Sequence, residues 1–257
     1  MNHRIVIKVG SNVLTRPDGK LDVTRMSALV DQIAWLRQEG YEVILVSSGA
    51  MASGRGELKV SHSLDSVEQR QLFSAVGQVK LIGLYYDLFR EFNIHIGQVL
   101  TMKENFQPGE QYENQRACMT VMLENGVLPI VNENDTVSVT ELMFTDNDEL
   151  SGLIAQMMQA DTLILLSNID GIYTGHPDDP HSELIREVAP DKDLSEYIRP
   201  EKSAFGRGGM HSKYTTARRV QQAGIRVIIA NGETDNILVN LIENKQNVAF
   251  TEFIPCN

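Results

Sequence analysis

The chain has 257 residues, of which 42% are hydrophobic and 22% charged, a composition typical of an ordinary soluble globular protein. It carries 23 lysine and arginine residues against 34 aspartate and glutamate residues, which gives a formal net charge of −11 at pH 7. An acidic surface of this kind repels polyanions, so broad binding to nucleic acid or to an anionic membrane is disfavoured.

Strand and helix patterns alternate along the chain, whose length favours a single domain over residues 1–257. Short runs rich in β-branched residues predict six strands: Arg4–Val9, Tyr41–Val46, Ile94–Leu100, Val127–Val131, Thr162–Leu166 and Arg226–Ala230. Amphipathic stretches predict helices over Met26–Leu36, Leu72–Phe89, Glu113–Glu124, Glu149–Gln159 and Met210–Ala223. The alternation predicts an α/β fold with a mainly parallel open sheet, helices on both faces, and ligands at the carboxyl ends of the strands.

Three glycines and two irregular segments complete this pattern. Gly40, Gly126 and Gly224 each lie between a helix and the next strand, where a left-handed residue is needed to end the helix. Val137–Phe144 has the pattern of a hairpin, and Asn168–Glu187 is a long excursion that contains two prolines. Excursions of that length in a compact domain are often functional.

Several common signatures are absent from the sequence. There is no GxxxxGK[ST] string and no GxGxxG after the first strand, so a Walker-A enzyme is excluded and a nicotinamide-dependent dehydrogenase is disfavoured. No HExxH, CxxC or GxSxG occurs, and the histidine spacings match no metal-ligand pattern, so no protein metal site is predicted. Cys118 and Cys256 are not expected to form a disulfide. The charged start of the chain and its short apolar runs predict a cytoplasmic protein.

Small and basic residues follow the first two predicted strands. Lys8 is followed by Gly10 and Ser11, so its charge and the backbone N–H groups could hold a phosphate. The same lysine could instead extend from the strand end into solvent. The second strand leads into Ser47–Gly56, where small residues suit either the close approach of a ligand or a plain flexible loop.

Two polar clusters lie further along the chain, Asn132–Asp135 after the fourth strand and Thr145–Leu150 before a helix. In the second cluster, Asn147 is a good N-cap and the acidic residues suit the helix dipole, which would be a sufficient structural reason for them. Capping does not explain the first cluster. Together the clusters predict recognition of a small charged ligand, with a carboxylate for an ammonium group and amides for a carboxylate.

A glycine-rich segment, Ser203–Lys213, opens the last predicted amphipathic helix. Gly208 and Gly209 permit unusual backbone angles, and a helix N-terminus offers free N–H groups. Lys213 in the first turn is unfavourable for the helix dipole, so a negative group such as a nucleotide phosphate is expected beside it. The alternative is an ordinary glycine-rich loop with a surface lysine.

Five strings together resemble the amino-acid kinase family over about Ile5–Ala230. They are Lys8-Val-Gly-Ser, Ser47-Ser-Gly-Ala, Val131-Asn-Glu-Asn-Asp, Asp146-Asn-Asp-Glu-Leu and Gly206-x-Gly-Gly-Met-x-x-Lys. The two acidic strings most resemble members that phosphorylate glutamate, whereas the glycine strings are shared with kinases of acetylglutamate, aspartate, carbamate and uridylate. The resemblance implies a three-layer α/β/α sandwich and transfer of the γ-phosphoryl group of ATP to the side-chain carboxylate of L-glutamate. It also implies Mg²⁺ as cofactor and a place at the first step of proline biosynthesis.

The resemblance assigns roles wherever the strings match. It implies that Lys8 and Lys213 stabilise the transferring phosphoryl group and that Asp148 orients both lysines. It implies a glutamate site, in the N-terminal part, formed by Ser48, Gly49, Ala50, Asp135 and Asn147. It implies an ATP site, largely in the C-terminal part, formed by Lys8, Gly10, Ser11, Ser167, Asn168, Arg207, Gly208, Gly209, Met210, His211, Ser212 and Lys213.

The sequence departs from the family pattern in the nucleotide strings. Asn168 stands where the pattern has Asp, and Ser167 stands where it has Thr. Arg207 and His211 vary the glycine-rich string, and these differences bear on nucleotide affinity and base preference. Many relatives carry a C-terminal PUA domain, and none is expected here because the sequence ends soon after Phe250.

Partners follow from the resemblance and from product chemistry. A homo-oligomer is implied, for which the helix around Leu72–Phe89 is a candidate interface, and no nucleic acid or membrane partner is expected. The product is a labile acyl phosphate, which suggests hand-off to a glutamyl-phosphate reductase. Three alternatives stay open: another carboxylate kinase such as one for acetylglutamate, a non-catalytic sensor, and a dinucleotide-dependent dehydrogenase.

Overall fold

The computed structural model describes residues 3–138, 144, 146–198, 209–245 and 247–256. Its strands are β1 Arg4–Val9, β2 Glu42–Ser47, β3 Ile96–Thr101, β4 Leu128–Glu133, β5 Thr162–Ser167, β6 Glu187–Val188, β7 Arg226–Asn231 and β8 Phe250–Phe253. Its helices are α1 Ser11–Leu14, α2 Val23–Gln38, α3 Ala50–Glu57, α4 Ser66–Arg90, α5 Glu110–Glu124, α6 Asn147–Met157, α7 Met210–Gln222 and α8 Ile237–Ile242. Among the described residues, no helix is both long enough and apolar enough to cross a bilayer.

The strands form one eight-stranded sheet in the order β3-β4-β2-β1-β5-β7-β8-β6. The six strands predicted from sequence are parallel neighbours, which confirms the mainly parallel sheet. β8 runs antiparallel to β7 and pairs in parallel with the edge strand β6, and neither β8 nor β6 was predicted. The chain moves from β1 to one side of the sheet and later returns to β5 on the other side. The crevice at this reversal lies at the carboxyl ends of β1 and β5, where open α/β sheets bind ligands.

Alternating residues of the central strands supply two hydrophobic layers. Ile5 and Ile7 of β1 face the layer covered by α2, α4 and α8, whereas Val6 faces the layer covered by α5, α6 and α7. Burial of both strand faces explains why these strands read as continuous apolar runs. The result is the expected three-layer α/β/α sandwich. Lys8 continues the series of Val6, so its side chain points to the same layer as α6 and α7.

The second strand is followed by helix α3 rather than by a flexible loop. Gly49 takes a left-handed conformation, with φ of 100°, and α3 begins at the next residue. The small residues then serve helix packing. A Cβ atom on Gly54 would overlap the main chain of Phe73, and one on Gly77 would overlap the carbonyl oxygen of Ala50. Backbone contact between α3 and α4 therefore requires glycine at both positions.

The glycines between helices and strands behave as predicted. Gly40, Gly126 and Gly224 have φ of 86°, 70° and 79°, which confirms three left-handed helix ends. The excursion after β5 forms no regular strand before β6, apart from a single bridge between Tyr173 and Leu184. The hairpin predicted over 137–144 falls largely on residues 139–143, which lie outside the described residues.

Candidate active site

A cavity of about 1220 Å³ opens at the carboxyl ends of the central strands. Its walls come from the segments after β1, β2, β4 and β5 and from the start of α7, so residues distant in sequence share one space. Many of the predicted site residues line it: Lys8, Gly10, Ser11, Ser48, Gly49, Ala50, Asp135, Asn147, Asp148, Ser167, Asn168, Gly209, Met210 and Lys213. This volume is large enough for a nucleotide together with a small second ligand.

Two lysines meet on one buried carboxylate at the centre of the cavity. Lys8 Nζ lies 2.5 Å from Asp148 Oδ1, and Lys213 Nζ lies 3.0 Å from Asp148 Oδ2. Asp148 is 0% exposed, and both lysines are at least 92% buried. The alternative of Lys8 extending into solvent is therefore wrong. β1, α6 and α7 each place one member of this trio.

Burial and mutual charge set the protonation of the trio. Burial alone would raise the pKa of Asp148, but the two ammonium groups outweigh it and hold that pKa below its ordinary value. Burial lowers the pKa of Lys8, and the Lys213 ammonium lowers it further, while the Asp148 carboxylate opposes both effects. Two ammonium groups thus share one carboxylate, which leaves the trio with a net positive charge facing the cavity.

Helix α6 begins beside this trio with a capped first turn. The Asp146 side chain accepts hydrogen bonds from the backbone N–H groups of Asp148 (2.9 Å) and Glu149 (3.1 Å). The cap is therefore Asp146, and the interpretation of Asn147 as N-cap is wrong by one residue. Burial and the Asp148 charge raise the pKa of Asp146, whereas the Ser212 hydroxyl and the Lys8 ammonium act in the opposite direction.

Because Asp146 caps the helix, the Asn147 side chain is available to the cavity wall. Its Nδ2 atom lies 2.9 Å from Ser48 Oγ, 3.1 Å from Asn132 Oδ1 and 3.3 Å from the main-chain oxygen of Ser47. The two polar clusters that the sequence singled out therefore touch. Asn132, the second-last residue of β4, is 3% exposed and belongs to this group, although the sequence placed it only in the first polar cluster and assigned it no role in the glutamate site.

Asp135 lies at another part of the same wall and is paired with an arginine. Arg70 Nε is 3.2 Å from Asp135 Oδ1, and Arg70 also donates to the main-chain oxygen of Ser138 at 2.8 Å. Both side chains are about nine-tenths buried, with exposed fractions of 14% and 13%. The pair presents opposite charges side by side, an arrangement suited to the ammonium and carboxylate of an amino acid.

Helix α4 contributes a row of polar side chains, which we call the polar stripe: Gln71, Gln78 and Tyr85. Gln71 donates to the main-chain oxygen of Thr136 at 2.9 Å, and Gln78 Oε1 accepts from Asn132 at 3.0 Å. The Tyr85 hydroxyl lies 2.9 Å from Ser47 Oγ, and burial raises the pKa of this phenol to about 12. None of these three residues was predicted as part of the site, and neither was Arg70, because the apolar spacing of this helix indicates packing. The regular spacing of seven residues between Gln71, Gln78 and Tyr85 is the sequence signal for the polar stripe.

Small residues that were predicted to surround a nucleotide line one end of the cavity. The Gly10 N–H donates to the main-chain oxygen of Leu166 at 3.2 Å, so this N–H belongs to the sheet. A Cβ atom at position 10 would lie 3.4 Å from Lys8 Nζ, so the absence of a side chain leaves room beside the lysine. His211 is exposed in the first turn of α7, and its role stays a prediction. Arg207 and Gly208 lie outside the described residues.

The polar groups of the site include ammonium, amide and hydroxyl groups and three carboxylates, Asp135, Asp146 and Asp148. Within the described ranges, no three His, Cys, Asp or Glu side chains are grouped as a metal site. Also within those ranges, Cys118 and Cys256 are both free thiols.

Comparison with known proteins identifies relatives along almost the whole chain. A profile described as the amino acid kinase family matches residues 3–231. A glutamate 5-kinase of Bacteroides thetaiotaomicron is 67% identical over 98% of this chain and 70% of that protein. A glutamate 5-kinase of Symbiobacterium thermophilum is 41% identical over 95% of this chain and 93% of that protein.

Solved structures with low sequence identity share the fold. A carbamate kinase from Giardia lamblia bound to AMP-PNP superposes with a TM-score of 0.71 at 17% identity, covering 99% of both chains. A UMP kinase from Ureaplasma parvum gives a TM-score of 0.65 at 16% identity, again covering 99% of both chains.

Proposed function

Because the chain belongs to the amino acid kinase family, we propose that it transfers the γ-phosphoryl group of ATP to the side-chain carboxylate of L-glutamate. The product would be L-glutamyl 5-phosphate, the first intermediate of proline biosynthesis. The name and high identity of the relatives support the choice of glutamate within the family. The observation that carries the proposal is the meeting of Lys8 and Lys213 on Asp148.

The chemistry requires positioning and charge neutralisation rather than proton removal. A carboxylate acceptor is already a nucleophile, so no general base is needed for attack on the γ-phosphorus. The bond that forms joins the acceptor oxygen to phosphorus, the bond between phosphorus and the β–γ bridging oxygen breaks, and ADP leaves with the electron pair. The Lys8 and Lys213 ammonium groups neutralise charge on the transferring phosphoryl group, while Asp148 fixes their positions.

ATP would occupy the end of the cavity formed by β5 and the start of α7, where Ser167, Asn168 and Gly209 lie. Mg²⁺ would enter with the phosphates, since this ion is commonly held by one or two carboxylates and substrate oxygens. Asp146, which lines the cavity and is close enough to Lys8 to raise the pKa of that lysine, is the carboxylate that fits this role. When bound, the ion supplies further neutralisation of the phosphate oxygens.

Glutamate would occupy the wall formed by α3, Asn147 and Asp135. Asp135 would hold the ammonium group, and the start of α3 at Gly49 and Ala50 would offer backbone N–H groups to a carboxylate. The side-chain carboxylate would then point toward Lys8 and Lys213 at the centre of the cavity.

The proposal is tested by trapping the acyl phosphate with hydroxylamine in the presence of ATP and Mg²⁺. Glutamate, acetylglutamate and aspartate are compared as acceptors, and ADP release is measured in parallel. We expect hydroxamate with glutamate well above the other two. Equal or greater product from acetylglutamate would assign the chain to that substrate, and ligand binding without ADP release would indicate a sensor.

Asp135→Asn should raise the KM for glutamate about 10- to 100-fold while leaving the KM for ATP near its original value. The substitution keeps the side-chain volume but removes the charge opposite the substrate ammonium, and hydrogen bonds to charged groups are worth this much. Steady-state kinetics with each substrate varied in turn measure both constants. Asp31→Asn on the exposed face of α2 is the matched control. A rise confined to the KM for ATP would show that the two subsites have been exchanged.

We further propose that the chain forms a homo-oligomer through the outer face of α4. Leu72, Val79 and Tyr86 recur every seven residues on this helix and are 38%, 73% and 55% exposed. Three apolar side chains in line along a surface helix suit contact with a second copy. Hand-off of the labile product to a glutamyl-phosphate reductase is also proposed, on the chemistry of the acyl phosphate alone.

Val79→Glu should convert the oligomer into a smaller species, because it places a charge in the centre of the apolar row. Size-exclusion chromatography with light scattering measures the mass, which we expect to be a multiple of 28.7 kDa for the unchanged chain. Val121→Glu makes the same change at a 56% exposed valine on α5 and should leave the mass unchanged. A mass of a single chain before substitution would refute the proposal.

A further inference from the structure

A ladder of side-chain amides runs from the middle of α4 to the cavity. Gln78 does not line the cavity, but its Oε1 accepts a hydrogen bond of 3.0 Å from Asn132 Nδ2. Asn132 Oδ1 in turn accepts from Asn147 Nδ2 at 3.1 Å and from the backbone N–H of Glu133 at 2.9 Å. Each amide in this series donates to the next one, so the orientation of each depends on that of its neighbour.

The ladder, together with the oxygen atoms of Ser47 and Ser48, determines which atom of Asn147 faces a ligand. Asn147 Nδ2 lies 3.3 Å from the main-chain oxygen of Ser47, an atom that can only accept, and 2.9 Å from Ser48 Oγ. Its amino group is therefore turned to the protein. Asn147 lines the cavity, so the polar atom that it presents to a ligand is its carbonyl oxygen. A carbonyl oxygen accepts from an ammonium group and repels a carboxylate.

We propose that Gln78 is a positioning residue that, through Asn132, holds the Asn147 carbonyl toward the α-ammonium group of the acceptor. This inference rests on the proposed function. Asp135 is already shared with Arg70, so an ammonium group at this wall needs a second acceptor, which Asn147 supplies. Gln78 thereby contributes to the preference for acceptors with a free amino group.

Loss of the Gln78 oxygen would act through the buried amide next to it. Asn132 is 3% exposed, and an amide N–H buried without an acceptor is costly. Rotation of the Asn132 amide would relieve this cost, but it would turn the Asn132 amino group toward the Asn147 amino group. Asn147 would then be held only by the Ser47 and Ser48 oxygen atoms, so its amide would present N–H donors to the ammonium group for part of the time.

The test compares Gln78→Met and Gln78→Lys, which remove the acceptor, with Gln78→Glu, which keeps an acceptor oxygen. The KM for glutamate is measured with the KM for ATP and with the inhibition constant of glutarate, which is glutamate without its amino group. We expect Gln78→Met and Gln78→Lys to raise the KM for glutamate about tenfold. The KM for ATP and the inhibition constant of glutarate should stay within about twofold of their values in the parent chain. Gln78→Glu should keep the KM for glutamate close to that of the parent chain.

Gln32→Met on α2 controls for a structural role. Gln32 donates to Ala28 and accepts from the N–H of Leu238, away from the cavity, so its loss should lower the melting temperature without changing the KM for glutamate. An unchanged KM in both acceptor-removing variants would overturn the inference, as would an equal rise in the inhibition constant of glutarate. A parent chain that forms no product from glutamate would instead refute the proposed function.

Discussion

Lys213→Met should lower kcat by at least about 10³-fold while the fold and the melting temperature remain close to those of the unchanged chain. Removal of one preorganised donor from a developing anion costs about 10²–10³ in kcat, and here the donor carries a full charge on a phosphoryl group. The fold should survive because Lys8 remains at 2.5 Å from Asp148, so the buried carboxylate keeps a cationic partner. Methionine also fills most of the lysine volume, which limits the cavity left behind.

The measurement is hydroxamate formation at saturating ATP and glutamate, accompanied by thermal unfolding. Lys245→Met is the control, because Lys245 lies on the surface with a side-chain exposure of 54% and pairs only with Glu243 among the described residues. Lys8→Met should give a loss of similar size. Near-normal turnover in both Lys213→Met and Lys8→Met would show that the two ammonium groups are not required for phosphoryl transfer.

Asp148→Asn should destabilise the protein by about 3–5 kcal/mol, because it leaves two buried ammonium groups without a counter-charge. Activity should also fall by orders of magnitude, since the amide cannot accept from both lysines in their present positions. Binding of ATP should recover part of the stability, because the phosphates supply the missing negative charge. Urea unfolding with and without ATP measures both effects.

The pH dependence of this loss has a defined sign. The folded-state pKa of Asp148 is below the unfolded value of 3.8, so its contribution is complete above that value and is lost as the pH falls through the folded pKa. The difference in unfolding free energy between parent and Asp148→Asn should therefore be largest near neutral pH and shrink in acid. A difference in unfolding free energy that grows below pH 4 would show that the ion pairs of Asp148 are not the source of the lost stability. Asp161→Asn, at a half-exposed carboxylate, is the matched control.

The sheet was predictable because its central strands are buried on both faces. Six strands were predicted within two residues at each boundary, and helices α2, α4, α5, α6 and α7 followed from apolar spacing, whereas the short helices α1, α3 and α8 were not predicted. The last two strands of the sheet, β8 and β6, were missed for a physical reason. β6 has two residues and β8 has four, and β8 is held by pairing with β7 and by the contact of Arg226 with Glu252 rather than by a strong local pattern.

The centre of the site was also predictable, but its supporting residues were not. Lys8, Asp148 and Lys213 stand in conspicuous positions at strand and helix ends, where charge has few structural explanations. Arg70 and Gln78 instead lie within a long amphipathic helix, where polar side chains are normally solvated. Their partners come from β4 and the loop that follows it, so their role depends on tertiary contacts that helix periodicity does not reveal.

The absence of side chains where α3 meets α4 has a mechanical consequence. At Gly54 and Gly77 the two main chains touch directly, and no flexible group lies between them to absorb a displacement. We therefore expect α3 and α4 to move as one rigid body. Gly49, at the start of α3, lies beside the cavity, and α4 carries Leu72, Val79 and Tyr86 on the protein surface.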